Sequence, residues 1–290
     1  MPLTPILPID NVAQSAVAPS LEPGIWEANT VVSLTLVVPV LNEEILLPEF
    51  LEKTVQDLET GGLDWELFMV DDGSTDSSYE IMANFAQRDP RVQVLKLDEN
   101  CGPGANLHLA YSMASKDVVA YATVDGFYDT ALLPSLLHYF QDHDVVSAYR
   151  TDLKSHPGFR KLQTLINVHL QRLLFPYEFK AVHTLQIHRR DFLQGADLQS
   201  KTPFLCSEML YKATEAGLKI AEVPIEYLPR KAGKATGGDP WLIVNTMRDI
   251  FAGWWRWFVM KKPMLPVGLD LVPGGVKNVE SRPLELTKAG

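Results

Sequence analysis

Acidic and amide side chains follow several short apolar runs of this chain. The segment Pro39–Glu44 follows one run, Asp71–Asp76 follows another, and Thr123–Asp129 follows a third. Two adjacent carboxylates beside a glycine, as at Asp71 and Asp72, are costly because like charges repel, unless a polar partner is bound there. These residue types therefore predict a site that accepts hydrogen bonds from a polar ligand.

Each loop also has a simpler explanation when it is taken alone. Asn42 can cap a following helix, and the acidic residues after it favour a helix N-terminus. Ser74 or Asp76 can cap the next helix in the same way. The loops in combination are more specific than any one of them, provided that the fold brings them together.

The elements around these loops indicate an α/β fold. From Val31 onward, short β-branched runs alternate with helical segments, which is typical of βαβ units and a largely parallel, buried sheet. The predicted strands are Ser33–Val38, Trp65–Asp71, Val92–Leu97 and Val118–Val124, and the predicted helices are Leu46–Thr60, Ser77–Gln87, Gly104–Ser115 and Leu132–Asp142. Ligands of such sheets bind beyond the carboxyl ends of the strands, so the loops after these four strands are expected to line the site.

The second half of the chain has fewer distinct signals. It predicts helices over Phe159–Leu174, Ser207–Ala216 and Pro240–Met260, and a strand or hairpin over Val182–His188. The expected organisation is an extended Pro-rich tail (1–30), an α/β domain (31–238), an amphipathic Trp-rich helix (239–262) and a C-terminal tail (263–290).

Composition narrows the functional classes. Of 290 residues, 46% are apolar and 21% are charged, which excludes a mainly disordered chain. The net charge of -10 argues against nucleic acid as a partner. Cys101 and Cys206 lack the spacing of a zinc site or a disulfide framework. With no secretory signal pattern and no run of about 20 apolar residues, a cytoplasmic protein without a spanning helix is expected.

The loops together resemble the family 2 glycosyltransferases, which are inverting enzymes with the GT-A fold. The similarity rests on Pro39–Glu44, Val70–Asp76, Asn100–Gly104 and Asp125–Asp129, and continues through Arg189-Arg190, Glu208 and Glu222–Lys234. It covers about Val31 to Gly238. Within the family, Ala216–Ile225 and Arg230–Lys234 are most similar to dolichol- or polyprenyl-phosphate sugar synthases.

The resemblance implies a nucleotide diphosphate sugar as donor. The donor-binding positions that it implies are Pro39, Leu41, Asn42, Glu43, Asp71, Asp72, Gly102, Gly104, Thr123, Val124, Asp125, Arg230 and Lys234. The catalytic positions are Asp125, Glu208, Arg150 and Arg160. Arg150 and Arg160 are expected to bind an acceptor phosphate, and Glu208 to face the site from a helix start. The simpler alternatives are solvated surface cations and a helix-terminal charge.

Family members hold Mg²⁺ or Mn²⁺ with a D-x-D motif, and this chain departs from that motif. The aligned triplet is Thr123-Val124-Asp125, so Asp125 is the single carboxylate implied as a metal ligand. Asp129 either assists the metal or caps the following helix. The departure leaves the dependence on a metal open.

A second departure removes a cation from the third loop. Similar enzymes carry N-x-G-K-G, whereas this chain has Pro103 in place of the lysine. The glycines still permit a close turn. Replacement positive charge is expected from arginines and lysines elsewhere, namely Arg150, Arg160, Arg230, Lys231 and Lys234.

The Trp-rich helix indicates contact with a membrane. One helical face carries Val244, Met247, Phe251, Trp254, Trp255 and Phe258. Tryptophan beside arginine and lysine is typical of a helix that lies in the bilayer interface. The alternative is a helix that packs its tryptophans against protein, in the core or in a dimer.

The sequence therefore predicts an inverting glycosyltransferase that uses a nucleotide diphosphate sugar and a polyprenyl phosphate, peripheral at the cytoplasmic face of a membrane. One alternative is transfer to a glycan or another hydroxyl, which requires a carboxylate base. Another is a donor-binding scaffold without activity, because Thr123 replaces a carboxylate. The sugar, the base and the oligomeric state are left open.

Overall fold

Seven strands from across the chain form one mixed sheet in the computed structural model, which describes residues 32–150, 167–181, 184–226, 228, 240–266, 271–272 and 275–276. The strands are β1 (Leu34–Val40), β2 (Trp65–Asp71), β3 (Val92–Lys96), β4 (Val118–Tyr121), β5 (Val145–Arg150), β6 (Gln186–Arg189) and β7 (Ile220–Ile225). Their order is β3-β2-β1-β4-β6-β5-β7, and β6 is antiparallel to both neighbours whereas the other pairs are parallel. A separate antiparallel pair joins β8 (Leu271–Val272) to β9 (Gly275–Val276).

Helices connect most of these strands. They are α1 (Leu47–Thr60), α2 (Ser78–Ala86), α3 (Pro103–Met113), α4 (Leu133–Leu137), α5 (167–174), α6 (Arg190–Gly195), α7 (Phe204–Glu215) and α8 (Pro240–Trp254). Short 3₁₀ turns lie at Thr130–Leu132 and His138–Gln141, and a π-helical turn, Trp255–Val259, continues α8.

The central strands are apolar on both faces because helices cover both. Alternate residues of β1 point to opposite layers: Leu36 and Val38 belong to one buried cluster, and Val37 belongs to the other. α1 and α4 pack into the first cluster, and α3, α6 and α7 pack into the second. This three-layer arrangement explains why the strands read as continuous apolar runs.

The four predicted N-terminal strands are confirmed with shifted ends. β4 stops at Tyr121 instead of Val124, because Thr123 begins a tight turn that its carbonyl closes with the amide of Gly126 (2.8 Å). The predicted helix over Leu132–Asp142 is two shorter helical turns. Within Val182–His188, the strand is antiparallel and begins at Gln186, while residues 182–183 lie outside the described part of the chain.

Candidate functional site

Strand register brings the carboxyl ends of β1, β2, β3 and β4 to one edge of the sheet. Val40 lies opposite Asp71, Asp71 opposite Lys96, and Val37 opposite Tyr121. The loops that follow these strands therefore meet at this edge, as the alternation of strands and helices predicted.

Hydrogen bonds join the loop after β1 to the loop after β2. Asn42, in a left-handed backbone conformation (φ 54°), accepts a hydrogen bond from the Thr75 amide at its Oδ1 (2.8 Å). The Asn42 amide donates to Ser74 Oγ (3.0 Å), and the Glu43 amide donates to Ser78 Oγ (2.9 Å). Helix α1 has no side-chain cap, so the capping interpretation of Asn42 is wrong, because its amide group is used between the two loops.

Asp76 belongs to the same network. Its Oδ1 accepts from the Ser78 amide (2.9 Å) at the start of α2, and its Oδ2 accepts from the Glu44 amide (3.2 Å). Burial acts to raise the pKa of Asp76, but these hydrogen bonds outweigh it and lower the pKa. An ionised Asp76 thus holds the two loops together.

The adjacent carboxylates of Asp71 and Asp72 have different partners. Asp72 accepts from the amides of Cys101 (2.7 Å) and Gly102 (3.1 Å), so it fixes the loop after β3, and burial raises its pKa. Asp71 is fully buried and accepts one bond, from the Ser74 amide to Oδ1 (3.2 Å). Its Oδ2 is buried and has no hydrogen-bond partner within the described residues. Asp71 Oδ2 is therefore able to accept a hydrogen bond from a ligand.

Steric constraints explain why two positions of the loop after β3 are glycine. Gly102 has a φ of 84°, which L side chains rarely adopt. A Cβ atom on Gly104 would lie 2.2 Å from the carbonyl carbon of Lys201. Glycine at 104 therefore lets the backbone around Lys201 lie directly on the N-terminal turn of α3.

The loop after β4 carries the triplet Thr123-Val124-Asp125. Its turn has Gly126 at φ 57°, and Asp125 lines a cavity of about 100 Å³ together with Lys53 and Leu228. The Thr123 hydroxyl is buried and has no hydrogen-bond partner in the described part of the chain. Thr123 and Asp71 thus each present an unsatisfied oxygen at the same edge, and such an oxygen costs about 1–3 kcal/mol without a partner.

Asp129 has a structural role. Its Oδ1 accepts from Lys53 Nζ (2.7 Å) and from the Ala131 amide (3.2 Å) at the start of a 3₁₀ turn. The hydrogen bond from Lys53 is the main reason that the pKa of Asp129 is lowered. Of the two interpretations of Asp129, capping is the one that the structure supports.

The fit of a metal ion follows from these contacts. Among the described residues, no group of three histidine, cysteine, aspartate or glutamate side chains is arranged to hold a metal. Mg²⁺ is commonly bound by one or two carboxylates together with substrate phosphates. Asp125 therefore fits an ion whose remaining ligands come from a diphosphate or water, and it does not fit a metal held by protein alone.

Glu208 lies one turn inside α7 and is 1% exposed. Its carboxylate accepts from the amides of Ser200 (2.8 Å) and Gln199 (3.1 Å) and pairs with Lys212 Nζ (3.0 Å), which is equally buried. Lys212 Nζ also donates to the carbonyls of Ala196 (2.9 Å) and Asp197 (2.6 Å). Because its oxygens already have these donors, Glu208 holds the loop between α6 and α7. This geometry argues against a role for Glu208 as a general base.

Of the five cations that the sequence analysis expected at the site, only Arg150 lies within the described residues. Arg150 ends β5 at the same sheet edge as the acidic loops, because β5 and β4 run in the same direction. Arg160, Arg230, Lys231 and Lys234 lie outside the described residues. Leu228 donates its amide to the Phe127 carbonyl (3.1 Å), so the described start of the loop after β7 contacts the loop after β4. Lys201, which the sequence analysis did not single out, has its backbone beside Gly104.

Helix α8 has two apolar faces. Ile250 and Trp257 are buried, and Met247 and Trp254 pack against the same cluster. The opposite face exposes the side chains of Trp241 (71%), Val244 (58%), Phe251 (49%) and Trp255 (54%). The single apolar face that the sequence suggested is thus divided between core and surface. None of the helices in the described residues is both long enough and apolar enough to span a bilayer.

Comparison with known proteins identifies the family. The model of glycosyl transferase family 2 matches residues 35–205, more than half of the chain. The chain belongs to glycosyl transferase family 2. The undecaprenyl-phosphate 4-deoxy-4-formamido-L-arabinose transferase of Salmonella paratyphi B is 26% identical over 231 residues, which make up 78% of this chain and 68% of that protein. The enzyme of Salmonella newport with the same name gives the same values.

Solved structures with the same fold confirm the GT-A architecture of this family 2 glycosyltransferase. Glucosyl-3-phosphoglycerate synthase from Mycobacterium tuberculosis, in complex with Mn²⁺, UDP-glucose and phosphoglyceric acid, has a TM-score of 0.59 and 17% identity, covering 78% of this chain and 79% of that one. Its complex with Mn²⁺, UDP and phosphoglyceric acid has a TM-score of 0.59 and 20% identity, covering 78% of each chain. The prediction of a glycosyltransferase is confirmed.

Proposed function

We propose that this glycosyltransferase moves a sugar, with inversion, from a nucleotide diphosphate donor to a polyprenyl phosphate. The observation that carries the proposal is the pair of buried, unsatisfied oxygens, Asp71 Oδ2 and Thr123 Oγ1, at one edge of the sheet. A nucleoside has hydroxyl and ring N–H donors that a carboxylate such as Asp71 accepts. The donor therefore binds with its nucleoside half at β2 and its diphosphate toward Asp125.

The hydrogen-bond partners of Glu208 support the choice of acceptor. Attack by a hydroxyl group requires a base to remove its proton, whereas a phosphate oxygen is already an anion. Glu208 is committed to Ser200, Gln199 and Lys212, which favours an acceptor that needs no base. In this reaction an acceptor oxygen bonds to the anomeric carbon, and the bond to the donor phosphate breaks with its electron pair on the leaving diphosphate. Arg150, at the end of β5, and Arg160 are proposed to hold the acceptor phosphate.

The charge on the leaving diphosphate must be neutralised. We propose that Asp125 holds Mg²⁺ or Mn²⁺ together with the diphosphate, and a bound ion of this kind stabilises the developing negative charge. The glucosyl-3-phosphoglycerate synthase structure contains Mn²⁺ with UDP-glucose. Arg230 and Lys234, in the loop after β7, are proposed to add positive charge from the protein.

Two observations support a lipid acceptor. The relatives at 26% identity are named as undecaprenyl-phosphate transferases. The exposed face of α8 combines Trp255 and Phe251 with Arg248 on the same face, and exposed Lys261 and Lys262 follow the helix. Aromatic side chains beside cations suit the interface of a bilayer with anionic lipids. We therefore propose that α8 lies in the membrane surface and keeps the site close to its acceptor.

Transfer assays with defined substrates test this proposal. UDP- and GDP-linked sugars are offered with undecaprenyl phosphate in liposomes and Mg²⁺ or Mn²⁺, and the glycolipid product is measured by mass spectrometry and its anomeric configuration by NMR. We expect a product inverted at the anomeric carbon. Transfer to a glycan hydroxyl but not to the lipid phosphate would contradict the acceptor assignment. Absence of nucleotide binding by a folded protein would contradict the donor assignment.

A further inference from the structure

Lys201 lies next to the loop after β3, in which Pro103 stands where similar enzymes often carry a lysine. The Lys201 backbone rests on α3: a Cβ on Gly104 would lie 2.2 Å from its carbonyl carbon and 2.3 Å from its carbonyl oxygen. A Cβ on Gly102 would lie 3.9 Å from the same oxygen. The segment 199–202, between α6 and α7, therefore adjoins the N-x-G-x-G loop although the two are about a hundred residues apart in sequence.

The backbone on both sides of Lys201 is fixed by hydrogen bonds to side chains of three helices. Glu208 accepts from the amides of Gln199 and Ser200 (3.1 and 2.8 Å), and the Ser200 carbonyl lies 2.8 Å from His108 Nε2 on α3. Asp249 of α8 accepts from Ser200 Oγ (2.8 Å), just before Lys201, and from Thr202 Oγ1 (2.9 Å), just after it. The position of Lys201 is thus set by three helices.

The Lys201 side chain, in contrast, is exposed and forms no ion pair with any residue of the described ranges. Its charge acts on Cys101, in the loop after β3. Burial raises the pKa of the Cys101 thiol, the charges of Asp72 and Glu99 raise it further, and the Lys201 ammonium acts in the opposite direction. An exposed ammonium on a fixed backbone, with no ion pair to a residue of the described ranges, is available to a ligand.

We propose that Lys201 is a phosphate-binding residue of this glycosyltransferase and supplies the positive charge that Pro103 cannot. This inference rests on the proposed function, since the phosphate is that of the nucleotide donor or of the lipid acceptor. Lysine binds phosphate as a point charge, so contact requires the ammonium to be near the anion but needs no bidentate geometry. Loop 199–202 and loop 100–104 together then form one wall of the site.

Variants at one exposed lysine test this proposal. Lys201→Ala and Lys201→Arg are compared with Lys219→Ala, which removes an exposed lysine just before β7, at the opposite edge of the sheet. Thermal melting checks that each variant is folded. Lys201→Met, which keeps the aliphatic stem, replaces Lys201→Ala if the latter melts early.

Two measurements distinguish the two phosphates. Calorimetry gives the Kd of UDP and GDP with Mg²⁺, beside the Kd of uridine and guanosine, and the transfer assay gives the KM for undecaprenyl phosphate. If the donor diphosphate is the partner, Lys201→Ala weakens the nucleoside diphosphate about 10-fold and leaves the nucleoside unchanged. If the acceptor phosphate is the partner, its KM rises about 10-fold instead. Lys201→Arg retains most of either interaction.

The outcomes separate this proposal from the proposed function. If wild-type protein binds nucleoside diphosphate and transfers sugar while Lys201→Ala matches Lys219→Ala in every constant, the role of Lys201 is wrong and the function stands. If folded wild-type protein neither binds nucleotides nor transfers sugar, both fall together.

Discussion

Two buried carboxylates, Asp71 at the end of β2 and Glu208 in α7, show how differently burial can be used. Asp71 is 0% exposed and Glu208 is 1% exposed. Glu208 has two backbone amides and the Lys212 ammonium as partners, whereas Asp71 has one amide and an oxygen without a partner in the described part of the chain. The first arrangement satisfies a charge within the protein, and the second leaves an oxygen for which a ligand partner is proposed.

Hydrogen-bond partners, and not burial alone, therefore distinguish a carboxylate that holds the fold together from one that is proposed to bind a ligand. Removal of one member of a buried ion pair leaves an uncompensated charge and costs stability. Neutralising a buried charge that lacks full pairing does not carry that cost. Stability and ligand binding should therefore respond in opposite ways at these two positions.

The largest effect is expected from Glu208→Gln, which leaves the Lys212 ammonium without its anion. We expect the free energy of unfolding to fall by about 3–5 kcal/mol, measured by urea titration. Any protein that folds should keep a kcat within a few-fold of wild type. A stable variant with kcat reduced a thousandfold would instead make Glu208 the general base.

Asp71→Asn should show the opposite pattern. The substitution replaces one carboxylate oxygen with an amide donor and loses the charge that accepts from the nucleoside, so we expect nucleotide binding to weaken by about 2–3 kcal/mol, or 30- to 150-fold. Calorimetry measures the affinity and thermal melting the stability, which should not decrease. Asp142→Asn, at an exposed position before β5, is the matched control. Equal binding by both variants would refute the role of Asp71.

Thr123→Asp tests how the number of carboxylates in the triplet 123–125 affects metal binding, because it adds a carboxylate where the chain has a hydroxyl. The wild-type protein is expected to bind Mn²⁺ only when a nucleoside diphosphate is present, because Asp125 is the one carboxylate of the triplet. In Thr123→Asp, a second carboxylate should permit binding without nucleotide and tighten it about 10-fold with nucleotide. Electron paramagnetic resonance of free Mn²⁺ follows both. Tight Mn²⁺ binding by the wild-type protein in the absence of nucleotide would contradict this account.

The smallest effect on stability is expected from Trp255→Ser, in the π-helical turn that continues α8, and Trp257 in the same turn is its buried counterpart. Trp255 is 54% exposed and Trp257 is 8% exposed. Trp255→Ser should lower sedimentation with anionic liposomes several-fold and leave the melting temperature unchanged. Trp257→Ser should destabilise the fold by about 3–5 kcal/mol, by the loss of a packed aromatic ring. Unchanged liposome binding by Trp255→Ser would argue against α8 as the membrane contact.

Motifs next to strands were the most predictable parts of this protein. The loops after β1, β2 and β4 could be located because β-branched runs end where the acidic residues begin, and the local order of a parallel sheet then dictates a common edge. Strand β6 was predicted with a different start, whereas strands β5 and β7 and helix α6 were not predicted from the sequence. The run Val145–Arg150 lacks a clear alternation, and it becomes a strand because β6 and β7 pair with it on both sides.

The alternation of strands and helices thus predicted the fold class, and the resemblance of the loop motifs predicted the family and the loops that are proposed to carry the site. The tertiary structure decided which oxygens and cations remain available there. It satisfied Glu208 and Asp129 with Lys212 and Lys53, and it set Lys201 beside Gly104. A hydrogen-bond partner from another element is invisible in a linear pattern, because only packing determines which donors reach which acceptors.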